Sequence, residues 1–264
     1  MEPFVGAVPA TESAPVPAST PASAPSTTPI RATPLPVRLL DAALDLLLPA
    51  ACVGCGVART QLCPDCRGQL TAAEPLRARP AHPPPGLPEI YAAVRYGDPA
   101  RQVLLAHKER GALRLAAPLG QALALAVRAA FPATPRQERP LLLVPMPSTT
   151  HTTRARGHNP TLRVARAAAS ALRGAGVPTR VVPALRHARA VADQSGLDAA
   201  ARQRNLRGAL TVHAHRTRLR EGHVLVVDDL VTTGASIVEA TRALAEAGAD
   251  VLAGAVVAAT QLRD

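Results

Sequence analysis

The chain has 264 residues, a formal net charge of +11 and 47% hydrophobic residues, enough for one medium α/β domain with a small appendage. It contains no run of about 20 apolar residues, so no membrane span is expected. The first residues lack the basic-then-apolar order of a secretory leader, and a soluble cytoplasmic protein is the expectation.

Every basic residue except Lys108 is Arg. Base composition of the genome is the bland explanation, and contact of the Arg fork with phosphates is the functional one. The charge attracts polyanions in either case. With no Trp, two Phe and two Tyr, the stacking platforms that hold single strands are nearly absent, and sequence-specific nucleic-acid recognition is not expected.

In chain order, residues 1–36 are rich in Pro, Ala, Ser and Thr and are expected to be disordered, since such a segment buries too little apolar surface to offset its ordering entropy. A short amphipathic helix, Pro36 to Leu48, leads into a module holding all four cysteines, which together make up residues 37–77. A Pro-rich linker, 78–88, contains His82 and the run Pro83 to Pro85, and residues 89–264 form the main domain. There the pattern predicts a strand at Glu89–Tyr96 and helices at Pro99–Glu109 and Leu113–Ala130. A strand at Leu141–Val144, a helix at Thr161–Leu172 and a strand at Thr179–Pro183 follow. Asn205–Val212 is a further candidate strand, ahead of a strand at Val224–Val227, a helix at Gly234–Ala247 and a last strand at Val251–Ala258. Strands alternating with helices imply a parallel sheet covered on both faces.

Cys52-Val-Gly-Cys55 and Cys63-Pro-Asp-Cys66 are two Cys-x-x-Cys knuckles. Each aims two thiolates at one ion, and four complete a closed tetrahedral zinc site, structural rather than catalytic. Two disulfides or a redox pair are the alternatives; a cytoplasmic setting and the presence of two pairs speak against them.

Val224 to Val227 is apolar throughout, Asp228 and Asp229 follow, and Thr232-Thr233-Gly234-Ala235-Ser236 opens a helix. Small residues, N–H groups, hydroxyls and the helix dipole suit a phosphate there, and the acids suit sugar hydroxyls. An ordinary strand–turn–helix is the alternative, although two adjacent acids at a buried strand end repel each other. Arg154-Ala-Arg156-Gly157-His158-Asn159, after the Leu141–Pro147 strand and turn, is either a pyrophosphate grip or a solvated basic loop. Arg189 to Gly208, containing Arg202, is either a closing lid or a surface helix.

The stretch Val224–Ser236 resembles the thirteen-residue phosphoribosyl-pyrophosphate (PRPP) signature of type I phosphoribosyltransferases. The cysteine knuckle behind a short helix, Val144-Pro-Met-Pro147, Arg156-Gly-His-Asn159, Gln194-x-x-Leu197 and Arg202-x-x-Asn205 then make residues 37–260 similar to the ComF family, which is linked to DNA uptake in natural transformation. His158 and Pro160 depart from that family's Arg-Gly-Phe-Asn-Gln pattern. The resemblance implies the type I phosphoribosyltransferase fold, with a small zinc-knuckle module ahead of it. It implies that Asp228 and Asp229 hold the ribose hydroxyls and that Val231, Thr232, Thr233, Gly234, Ala235 and Ser236 hold the 5′-phosphate. Lys108, Arg154, Arg156 and Gly157 would meet PRPP and its Mg²⁺, and Arg202 would close the site during pyrophosphate release. Transfer of the pentosyl group to an acceptor is the implied activity. A non-catalytic nucleotide-binding module, with single-stranded DNA, a competence helicase or another uptake protein as partner, is the alternative.

Overall fold

Leu141–Val144 and Val224–Val227 are unbroken apolar runs, as strands buried on both faces must be, and they lie side by side at the centre of the protein. A computed structural model describes residues 51–72, 74–132, 139–148, 157–189, 205–260 and 262–263. These fall in one structural unit, Ala43–Asp264. The expected tail and the helix at Pro36–Leu48 lie outside the described residues.

The strands are β1 (Leu76–Ala78), β2 (Ile90–Arg95), β3 (Leu141–Pro145), β4 (Thr179–Val181), β5 (Leu185–His187), β6 (Leu210–Val212), β7 (His223–Val231), β8 (Val251–Ala259) and β9 (Leu262–Arg263). The helices are α1 (Pro64–Thr71), α2 (Ala100–Glu109), α3 (Ala116–Ala130, entered through a 3₁₀ turn at Leu113–Leu115), α4 (Pro160–Gly174), α5 (Arg216–Leu219) and α6 (Ala235–Glu246). Among the described residues, one sheet runs in the order β4-β3-β7-β8-β2-β1-β9. Strands β4 to β2 in that order are parallel, while β1 pairs antiparallel with β2 and β9 antiparallel with β1.

Alternation along the central strands feeds two cores. Leu141, Leu143, Leu225 and Val227 pack with α2, α3, α4 and the cysteine segment. Leu142, Val144, Val224 and Val226 pack with α6 and the β5–β6 hairpin. The sheet is thus a mostly parallel layer covered on both faces.

The connection leaving β3 runs through α4 to β4, on one side; that leaving β7 runs through α6 to β8, on the other. The point where the order reverses, between β3 and β7, opens a crevice beyond the C-terminal ends of the strands, where open α/β sheets bind ligands.

Several elements differ from expectation. Strand β7 does not stop at Val227 but continues through both acids to Val231, because β8 keeps pairing with it as far as Val231↔Ala259. Its other neighbour, β3, ends at Pro145↔Val227. The candidate strand Asn205–Val212 shrinks to Leu210–Val212, and it joins Leu185–His187 in a separate antiparallel hairpin instead of the main sheet. Helix α6 begins at Ala235, with Gly234 as its N-cap. Strand β1 straddles the boundary drawn between cysteine module and linker, and Arg77 within it pairs with Glu89.

The hairpin is clamped to α6 by a buried carboxylate. Glu239 is 4% exposed, accepts the Leu210 N–H at 2.9 Å and pairs with Arg242 at 2.7 Å, while Arg242 also donates to the Leu210 carbonyl at 2.9 Å. Burial alone would raise the Glu239 pKa; hydrogen bonds from Arg242 and from the Leu210 and Gly208 amides outweigh it and hold the group below the ordinary value. Its stabilisation is therefore present above the ordinary carboxylate pKa and is lost as pH falls through the lowered one. Glu239→Ala strands two donors, and urea unfolding at pH 7 is expected to show a loss of about 3 kcal/mol. The gap to wild type should close on acidification to pH 3.

Candidate functional site

Asp228 and Asp229 sit where β7 outruns β3. Asp229 is 4% exposed. It continues the row of Leu225 and Val227 toward α2, and its Oδ2 lies 2.7 Å from Nζ of Lys108. That contact is ionic rather than a directed hydrogen bond: Oδ2 receives none among the described residues. Asp228, half-buried, turns its Oδ1 back onto the Asp229 N–H at 2.8 Å. Burial, and next the adjacent Asp229 carboxylate, push the Asp228 carboxyl well above the usual range, against Lys108 and that N–H, which pull it down. One ammonium facing two acids leaves acceptor capacity at the mouth of the crevice.

Residues 232–234 carry the chain from β7 into α6. Gly234 has φ +79°, the left-handed region that favours glycine, and it supplies no side-chain cap to α6. Thr233 Oγ1 accepts from the Ala235 N–H at 3.4 Å. Thr232 is exposed, and Thr233 and Ser236 are half-exposed, so three hydroxyls surround an uncapped, dipole-bearing helix start. Val231 is different: its side chain is buried in the α6 core, so only its backbone faces this turn. A Cβ on Gly234 would come within 2.6 Å of Leu87, so the Pro-rich segment lies directly against the cradle. Sequence patterning gave no hint of that contact.

Across the crevice, Ser148 Oγ lies 3.4 Å from Asn159 Oδ1, and Asn159 caps α4 through the Leu162 N–H at 2.9 Å. Gly157 is described, exposed and in the left-handed region; Arg154 and Arg156 lie outside the described residues. So does Arg202, but Leu206, four residues on, packs against Ala235 of the cradle, and Arg189 donates to the carbonyls of Asn205 (2.7 Å) and Arg207 (3.0 Å). The structure thus brings together Lys108, Asp228, Asp229 and the 232–236 turn.

The motif reading missed His107 and gave His158 no structural partner. His107, 1% exposed, has its ring nitrogens 3.4 Å from the carbonyls of Ala112 and Pro160. His158 stacks edge-on against it, with ring centroids 5.6 Å apart, and its Nε2 lies 3.2 Å from the His107 carbonyl. Burial lowers the His107 pKa. His158 is therefore an internal tie between α2 and the start of α4. A cleft of about 680 Å³ lies beside the end of β3, lined by Met146, Ser148, Asn159, Arg186, His187 and His213 among others. No protein-family model matches the sequence, and no curated protein matches it.

The four cysteine sulfurs lie within 4.8 Å of one another and form no disulfide. Cys63 caps α1 by accepting the Cys66 N–H, and Cys52 Sγ accepts the Cys63 N–H at 3.3 Å. Burial opposes ionisation of Cys52, yet N–H groups of Cys63, Cys55 and Gly54 bring its pKa down to about 6. Burial, then the surrounding sulfurs, push Cys66 upward. Tetrahedral bonds of about 2.3 Å set sulfurs about 3.8 Å apart, and Cys55 and Cys63 are 3.6 Å apart. The cluster can hold a metal ion.

The raised Asp228 pKa has a sign. The folded chain binds more protons than the unfolded one above the ordinary carboxylate pKa, so stability falls as pH rises through that window. Asp228→Asn keeps the bond from the Asp229 N–H and removes the penalty. Thermal unfolding should show a higher Tm than wild type at pH 7 and no difference at pH 3.

Proposed function

We propose that this protein binds PRPP as its Mg²⁺ complex in the β3–β7 crevice and transfers the phosphoribosyl group to an acceptor, in the manner of the type I phosphoribosyltransferases and, among them, of the ComF family. The observation that carries the reading is the juxtaposition of an acid pair with an uncapped helix start at the point where the strand order reverses. Such a place suits a ligand with a sugar diol beside a phosphate.

In this reading the 232–236 turn receives the 5′-phosphate, and Asp228 and Asp229 accept hydrogen bonds from the ribose hydroxyls. Departure of pyrophosphate from C1 builds positive charge on the ring, which the acid pair stabilises. Lys108, paired with Asp229, stands near the departing oxygens; Arg154 and Arg156 complete the grip. Arg202, on the segment whose end packs on Ala235, closes the site. The cleft between β3 and the hairpin takes the acceptor. The four cysteines hold a zinc ion with no open position, a structural role.

The +11 charge favours a second reading, a non-catalytic PRPP-binding module that engages single-stranded DNA or a partner of the uptake apparatus. Incubation with PRPP, Mg²⁺ and a panel of nucleobases separates the two: pyrophosphate release supports transfer, whereas its absence together with salt-dependent capture of single strands supports the module. Under both, Asp229→Asn should weaken PRPP binding about tenfold or more in calorimetry, roughly 1.4 kcal/mol; unchanged affinity would remove the cradle from consideration. Metal analysis should return one zinc per chain, lost in Cys55→Ser, and a folded chain purified without metal would refute the zinc assignment.

A further inference from the structure

The cysteine cluster and the acid pair lie at opposite ends of one helix. At the first end, Gly54 of the first knuckle is pressed between the cluster and Pro99, the N-cap of α2: a Cβ at position 54 would meet Cys66 Sγ at 2.7 Å and Pro99 Cβ at 2.8 Å. At the other end Lys108, in the last turn of α2, reaches Asp229. Between them α2 spans about 15 Å at the helical rise. Its face formed by Ala100, Val103, Leu104 and Ala106 is buried in the same core as Cys52, Cys63 and Cys66. Its last turn is tied down by the His107 ring and by His158 on the His107 carbonyl. A helix packed along its length and wedged at both ends moves as a body, and shifts of 1–2 Å are the usual scale for such elements.

We propose that α2 is a strut through which the state of the four-cysteine cluster sets the position of Lys108 and hence the ion pair with Asp229. Loss of metal from the cluster frees the knuckle that holds Pro99. The strut then loses its N-terminal stop, and the Lys108 contact loosens although no cysteine touches it. The inference rests on the zinc reading of the cluster, not on PRPP.

Amide hydrogen exchange on the full chain tests it, zinc-loaded against chelator-treated. Peptides covering residues 104–109 and 226–231 are expected to exchange about tenfold faster without metal, while the β5–β6 hairpin on the far face keeps its protection. An increase confined to residues 51–72 overturns the strut. Gly54→Ala, with zinc content measured, covers the case in which stripping unfolds the chain: the added Cβ pushes on Pro99, so faster exchange at 104–109 is expected, and unchanged exchange there overturns the proposal. A PRPP arm separates this from the functional reading. Chelation should weaken PRPP binding in wild type but not further in Lys108→Met; an equal loss in both rules out the Lys108 route. If wild type does not bind PRPP at all, the functional reading fails while the exchange result still decides the strut.

Discussion

Two neighbouring parallel strands, β3 and β7, send their chains in opposite directions, and the site follows from that constraint. Parallel crossovers are right-handed almost without exception. A crossover leaving β3 toward β4 and one leaving β7 toward β8 must therefore place their helices on opposite faces, and α4 and α6 do lie in different cores. No helix can cover the gap between the two strand ends. Beyond Pro145, β7 keeps only β8 as a ladder partner among the described residues, so Asp228 and Asp229 stand at a strand margin where those residues do not enclose polar groups by sheet on both sides.

Electrostatics then sets what this margin favours. A carboxylate as buried as Asp229 is costly without a counter-charge, and Lys108 supplies one from a different layer of the protein. Burial first, and the Asp229 charge second, push the Asp228 carboxyl well above its usual range, and Lys108 offsets them only in part. A ligand bringing hydroxyl donors or a cation to the pair relieves the imbalance, so affinity and apo-state stability are set in opposition at the same residues.

Much of this was legible in the sequence wherever a run was long and uniform. The apolar tetrads of β3 and β7, the Ala-rich helices and the cysteine knuckles each follow from periodicity or spacing. The polarity of Asp228 and Asp229 suggested that the strand had ended, because composition does not reveal that β8 goes on pairing past them. The hairpin was illegible for another reason: strands of three residues, Leu185–His187 and Leu210–Val212, are too short to show alternation, and their partners are 23 residues or more apart in sequence. Leu76–Ala78 was hidden by the prolines behind it. Glu239 reads as one surface charge of an ordinary helix face until the hairpin is laid on it. His158, in turn, sits in a basic loop segment but is held inward by His107, a partner that spacing could not supply.

The brace made by Arg189 bears on how the chain can change over time. Its guanidinium joins the carbonyls of Asn205 and Arg207, so the two ends of residues 190–204 are fixed to each other at the hairpin's base. Because closure entropy grows only slowly with length, a brace at this place makes the cost of joining Arg189 to Asn205 depend little on how many residues lie between them, and the hairpin beside the crevice keeps its base.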